Sequence, residues 1–302
     1  MKIQNQNHTF LLPWDGLWTA FAPPFTKLKR IQKFGPIYFF RMGKRYGANP
    51  IASVGAYLLP HHFCIDTGPS CFGRELLFLL RKFRIHHILL THHHEDHSGN
   101  MAFLQSHGFS VYAPQATWEI LKGDFPLPFY RHLAWGKPGR VRKTGYVLGD
   151  ELEINHYKCQ VIPTPGHSQD HVSFYFPQEG WLFSGDIYIH HRIKMFMKDE
   201  DFYLSKKSIE RLLELDFDPL FCQHNPRPVR GKEALKKKLE WFQELEEKVE
   251  TLAQKGWNPK RIALHLFDCK AYGMKYLTGG ETSSENLVRA ILKGQEKKFS
   301  EE

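Results

Sequence analysis

Short runs of β-forming residues come first along the chain. Ile37-Tyr38-Phe39-Phe40, Ala56-Tyr57-Leu58-Leu59 and Phe63-Cys64-Ile65-Asp66 are parted by Gly, Pro and Asn, which reads as successive strands. From Gly73 to Arg84 the apolar positions change period, to Leu76, Leu77, Leu79, Leu80 and Phe83, the spacing of a helix laid on a sheet. Ile88-Leu89-Leu90-Thr91 is then a buried strand, Met101 to His107 a helix stopped by Gly108, and Ser110 to Ala113 a further strand. Tyr146 to Phe183 is mostly strand, and a helix over Ser205 to Leu215 precedes the apolar strand Leu220-Phe221-Cys222. Such alternation predicts an α/β fold, a sheet-rich core faced by helices on both sides.

Beyond Gly231 only the helical period survives. Leu235, Leu239, Phe242, Leu245, Val249 and Leu252 form one stripe, Gly256 stops it, and Asn258-Pro259 offers a cap and first-turn proline for the next helix. Thr282-x-x-Glu285 reads as a capping box ahead of Leu287, Val288, Ile291 and Leu292. The pattern divides the chain into a domain over residues 1–230 and an extension of about three helices over 231–302.

The chemistry gathers where strands end. After Ile88 to Thr91 comes His92-His93-His94-Glu95-Asp96-His97. Two residues apart at a strand end, His92 and His94 point their rings to one side, and Asp96 and His97 follow as the chain turns. Imidazole and carboxylate together suit zinc, iron or manganese. Three further candidates stand in loops after apolar strands: His167 in Thr-Pro-Gly-His-Ser, Asp186 in Phe-Ser-Gly-Asp, and His224 in Phe-Cys-Gln-His-Asn.

The ordered set H-x-H-x-D-H, then His, Asp and His, resembles the metallo-β-lactamase superfamily, and within it the glyoxalase II group and the β-lactamase-like endoribonuclease group. The resemblance runs from about Tyr57 to His224. It implies an αββα sandwich with a C-terminal helical extension and a binuclear metal-dependent hydrolase that attacks with a metal-bridging hydroxide. It also implies two divalent ions, zinc above iron or manganese. By the same resemblance His92, His94 and His167 bind the first metal, Asp96, His97 and His224 the second, and Asp186 bridges them. Asp66 orients the His-rich loop, and Asp96 also orients the attacking hydroxide. His171, four residues after His167, either donates a proton to a leaving group or supports the ligands. The chain departs from the family's last motif, P-G-H-G-P, at Cys222-Gln223-His224-Asn225-Pro226.

Composition bears on substrate and compartment. The net charge is +9. Residues 1–60 hold Lys2, Lys27, Lys29, Arg30, Lys33, Arg41, Lys44 and Arg45 against the single acid Asp15, and Phe129 to Leu148 holds Arg131, Lys137, Arg140, Arg142 and Lys143 with no acid. Such a field concentrates anionic partners. Aromatic residues from Phe125 to Trp135 beside these cations suit a small acyl substrate with an anionic handle, such as a thioester, and also single-stranded RNA. Only 19 positions part His167 from Asp186 and 38 part Asp186 from His224, which leaves no room for a large nuclease insert. A glyoxalase-II-like thioester hydrolase leads; an endoribonuclease follows, and then a mono-iron sulfur dioxygenase or a non-catalytic binding module. Cys64, Cys71, Cys159, Cys222 and Cys269 are scattered, with no C-x-x-C, which points to a reducing compartment. No secretory leader is legible at Met1 to Trp14 and no apolar run is long enough to span a membrane, so the expectation is cytoplasmic.

Overall fold

The structure is a computed structural model that describes residues 5–6, 25–46, 49–123 and 127–301. Most of the segment from Met1 to Trp14, with Lys2, as well as Asp15, Phe125 and Pro126, lie outside the described residues. Packing separates two compact units, one of Met1–Val161 with Phe174–Gln178 and one of Ile162–Ser173 with Glu179–Glu302.

The first unit holds an eight-stranded sheet. Its strands are β1 (Asn5–Gln6), β2 (Phe25–Phe34), β3 (Ile37–Tyr46), β4 (Asn49–Leu59) and β5 (Phe63–Ile65). After α1 (Gly73–Lys82) come β6 (His87–Leu89), α2 (Glu95–Ser98), α3 (Met101–Ser106), β7 (Ser110–Ala113), α4 (Gln115–Lys122), α5 (Phe129–Trp135) and β8 (Tyr146–Val147). The eight strands lie side by side in chain order. Up to β5 the pairing is antiparallel, and from β5 to β8 it is parallel. Helical crossovers account for the switch, since parallel neighbours need a long connection. Leu76, Leu79 and Leu80 of α1 pack with Ile88, Leu90, Val111, Met101, Leu104 and Trp118 in one buried cluster, each large aliphatic side chain contributing about 1.5–3 kcal/mol by burial. Gly55 of β4 is required by packing, since a Cβ there would fall 1.9 Å from the Phe39 ring. β9 (Glu151–Ile154) pairs antiparallel with the start of β10 (Tyr157–Pro163). The chain passes between units within β10 and within β11 (Val172–Phe176).

The second unit holds β12 (Trp181–Phe183), β13 (Phe196–Met197), α6 (Phe202–Leu213), β14 (Leu220–Phe221), α7 (Gly231–Gln254), α8 (Pro259–Leu266), α9 (Cys269–Leu277), β15 (Thr282–Ser283) and α10 (Ser284–Glu301). β12 and β14 are parallel, and β13 pairs antiparallel with β15. Asn258 caps α8 as expected, accepting from the Arg261 amide at 2.9 Å.

Several elements differ from the sequence reading. β2 escapes it because Lys27, Lys29, Arg30 and Lys33 mask the strand's alternation; on the side away from β3 it pairs, among the described residues, with only the two-residue β1, where charge suits a sheet edge. The helical α5 falls in a stretch that carries no helical expectation. The tail has four helices, because Asp268 caps α9 afresh by accepting from the Ala271 amide. Thr282 is no cap: Ser283 Oγ accepts from the Asn286 amide at 3.0 Å, while Glu285 is engaged by Lys275 and Arg289. Among the described residues no helix is long and apolar enough to cross a membrane.

Cys64, Cys159 and Cys222 are buried, Cys71 is half-buried and Cys269 is exposed. Burial pushes the Cys159 thiol from its ordinary 9.0 up to about 12 and raises Cys64 and Cys222 as well. Above pH 9 the unfolded chain therefore binds fewer protons than the native one, and stability falls as pH rises. A thiol reagent on the native protein is expected to modify Cys269 first and the three buried thiols only on unfolding; rapid native labelling of Cys64 or Cys159 would contradict this packing.

Candidate functional site

In the first unit the donors stand where parallel β5 and β6 end together, the usual place for sites on such sheets. The Asp66 amide donates to the Leu89 carbonyl at 2.8 Å, and Asp66 takes the left-handed conformation with φ +60. Aspartate is among the few side chains that tolerate this backbone. Its buried carboxylate accepts from the Thr91 amide at 2.8 Å and lies 2.9 and 3.1 Å from the Thr91 hydroxyl. It also accepts from His97 Nδ1 at 2.8 Å.

Counting protons along this chain assigns tautomers. His97 carries its proton on Nδ1, so Nε2 presents a lone pair. The Thr91 hydroxyl donates to Asp66 and therefore accepts from His92 Nδ1, 2.9 Å away; the lone pair of His92 is then on Nε2, 3.0 Å from His94 Nδ1. Asp96 Oδ2 lies 3.8 Å from His97 Nε2. The loop is pinned from behind: Thr67 Oγ1 donates to the His97 carbonyl at 2.7 Å, and Asn100 Nδ2 donates to the Thr67 and Pro69 carbonyls.

Glu95, between these donors, turns away from them. It is buried and takes a two-pronged ion pair from Arg131 of α5, Nε to Oε1 at 2.6 Å. Burial, then the neighbouring Asp96, push its carboxyl up against the pull of Arg131. Of the cations read as a positive field, Arg131 is thus engaged internally. The α5 it anchors leaves Phe129 and Leu133 exposed.

In the second unit, Asp186 sits in a tight turn, Gly185–Ile187, directly after β12. His224 Nε2 lies 3.2 Å and His167 Nε2 3.6 Å from Asp186 Oδ2. His167 follows Gly166, where φ is +136 and a Cβ would fall 2.3 Å from the Ser205 amide nitrogen. Glu200, which sequence reasoning missed, places Oε2 3.4 Å from His167 Nδ1 while its other oxygen accepts from the Met197 amide. A carboxylate behind a ligating imidazole orients the ring and raises its basicity.

His171 is buried, and both ring nitrogens are engaged. Its Nε2 accepts from the Asp186 amide at 3.0 Å, so Nδ1 carries the proton and donates to Thr164 Oγ1 at 2.8 Å. Of the two roles expected, this geometry supports the structural one: His171 steadies the turn that carries Asp186. The His224 loop is clasped by the reciprocal backbone pairing of Leu220 with Arg227 and by Asn225 Nδ2 on the Ile189 carbonyl. Cys222 is a buried thiol whose sulfur accepts from the His224 amide. Gln223, the departure from the family motif, is buried with neither side-chain amide atom hydrogen-bonded.

The donor chemistry fits divalent metal. With bonds of about 2.0–2.1 Å, two ligands of one tetrahedral ion stand roughly 3.3 Å apart. His92 to His94 at 3.0 Å, and His224 and His167 to Asp186 at 3.2 and 3.6 Å, are edges of that size within each unit. The sequence-predicted donors thus fall into two sets: His92, His94, Asp96 and His97 with Asp66, and His167, Asp186 and His224 with His171.

Truncating Arg131 to methionine leaves a buried carboxylate unpaired and is expected to cost about 3–5 kcal/mol in urea unfolding, with Glu95→Gln/Arg131→Met recovering most of it. A loss below about 1 kcal/mol would mark the pair as solvated.

Comparison with known proteins supports the family resemblance. Residues 62–224, more than half of the chain, match the model of the metallo-beta-lactamase superfamily. A hydroxyacylglutathione hydrolase of Rhodobacter capsulatus is 34% identical over 108 residues, covering 35% of each chain. A beta-lactamase-like protein 2 homolog of Caenorhabditis elegans is 25% identical over 213 residues, 68% of this chain and 66% of that one. The chain thus spans about a third of the former relative and about two thirds of the latter. Among solved structures, a metallo-beta-lactamase family protein of Thermus thermophilus superposes with TM-score 0.63 at 20% identity, over 87% of this chain and 94% of that one. A metallo-beta-lactamase from Pontibacter korlensis does so with TM-score 0.57 at 20% identity, over 72% and 99%. At that identity the likeness concerns the fold. The chain belongs to the metallo-beta-lactamase superfamily.

Proposed function

We propose that the two donor sets close on one pair of metal ions, zinc by preference, and that the protein hydrolyses a thioester or related ester bearing an anionic group. In this reading His92, His94 and His167 hold one ion, Asp96, His97 and His224 hold the other, and Asp186 serves both. The observation that carries it is the proton count at Asp66, which turns the lone pairs of His92 Nε2 and His97 Nε2 into ligands at once. Bound there, the metal pair supplies Lewis acidity and a nucleophile drawn from water at neutral pH.

The remaining roles belong to the side chains. Asp66 keeps the protons of His97, and through Thr91 of His92, on the nitrogens that face away from the metals. His171 holds the Asp186 amide, and Glu200 aims His167. Asp96 orients the attacking water beside His97. The hydroxyacylglutathione hydrolases among the relatives support the thioester, and the cations of residues 1–60 and 137–143 support an anionic handle.

Metal analysis of the purified protein is expected to give two divalent ions per chain, and acyl thioesters are expected to release thiol. His94→Ala should lose more than the ~10–100-fold that removal of a supporting residue costs. Parental turnover in His94→Ala would place the activity elsewhere. Cleavage of single-stranded RNA without thioester turnover would keep the metal hydrolase and replace its substrate.

A further inference from the structure

The buried stripe of α7 contains a lysine. Leu235, Lys238, Phe242 and Leu245 face inward, and Lys238 is only 3% exposed. Its ammonium donates to the carbonyl of Ile187, the residue after Asp186 in the tight turn. Phe242 lies beneath it, with the ring centroid 5.4 Å away. The carboxylates whose negative charge it feels are Glu200 and Asp186. A buried ammonium is costly unless it is compensated, and an apolar side chain would complete the stripe at no such cost.

We propose that Lys238 is a positioning residue: from the C-terminal helical segment it fixes the Ile187 carbonyl, and with it the turn that aims the Asp186 carboxylate, while its charge balances Asp186 and Glu200. This rests on the reading of Asp186 as a metal ligand. It also gives α7 a part in the site, through a lysine at a buried position of the helix. Burial pushes the ammonium from 10.5 down to about 8, so the fold holds it at a cost that the Glu200 and Asp186 carboxylates reduce.

The test uses the full chain with Lys238→Met, which keeps the length and removes the charge. Removing one member of a set of buried charges is destabilising, and the Ile187 carbonyl loses its donor, so the melting temperature without metal is expected to fall. Zinc retention against a chromophoric chelator is expected to weaken by ~10–100-fold, and the visible spectrum of the cobalt-loaded protein to change. A changed cobalt spectrum in variant protein that is fully folded at the measuring temperature is what a general loss of stability alone would not produce. Lys238→Gln is measured in parallel and decides the matter if the methionine variant does not fold. Parental zinc affinity and cobalt spectrum in a folded variant overturn the role of Lys238 alone. A parent chain that takes up no metal overturns both this role and the reading on which it rests.

Discussion

The carboxylate of Asp66 governs the protonation of two ring nitrogens at once, and the donor loop of the first unit depends on it. It accepts directly from His97 and, through the Thr91 hydroxyl, fixes the proton of His92. Without that acceptor each ring could carry its proton on the nitrogen proposed to bind metal. The same carboxylate also accepts the Thr91 amide, so the geometry of the strand end and the tautomers of its histidines are set by a single group. Its left-handed backbone is the local strain that this arrangement requires.

The second unit solves the matching problem by other means. Asp186 is steadied through its backbone amide by His171, and His167 is approached from behind by Glu200. Here the orienting groups come from distant parts of the chain: the approach to β11, the turn after β13, and α7. A site assembled so is sensitive to residues that would themselves hold no metal, and the proposed role of Lys238 accounts for a lysine inside a helix stripe.

The donors themselves are legible because metal chemistry needs imidazole and carboxylate at strand ends, and H-x-H-x-D-H shows that need within six residues. Their supports are not. Glu200 stands 33 positions after His167 and Arg131 36 after Glu95, and no local period joins such pairs. The apolar stripe legible in α7 passes through Leu239 and leaves Lys238 out, because periodicity takes lysine as a surface residue; the observed stripe runs through Lys238 and leaves Leu239 half-buried. The strands β3 and β4 are legible only in part, since Arg41, Gly43, Lys44 and Arg45 interrupt the apolar run of β3 and Pro50, Ser53 and Gly55 that of β4. Nearness to His167 singles out His171; only the Asp186 amide on its ring shows which of two roles its geometry favours.

The most direct measurement is a crystal of the zinc-loaded protein examined by anomalous scattering at the zinc edge. The expected map holds two peaks, one ringed by His92, His94 and His167 and the other by Asp96, His97 and His224, with Asp186 touching both. A map with metal on the donors of one unit only, or with His97 bound through Nδ1 and Asp66 displaced, would contradict the assignment.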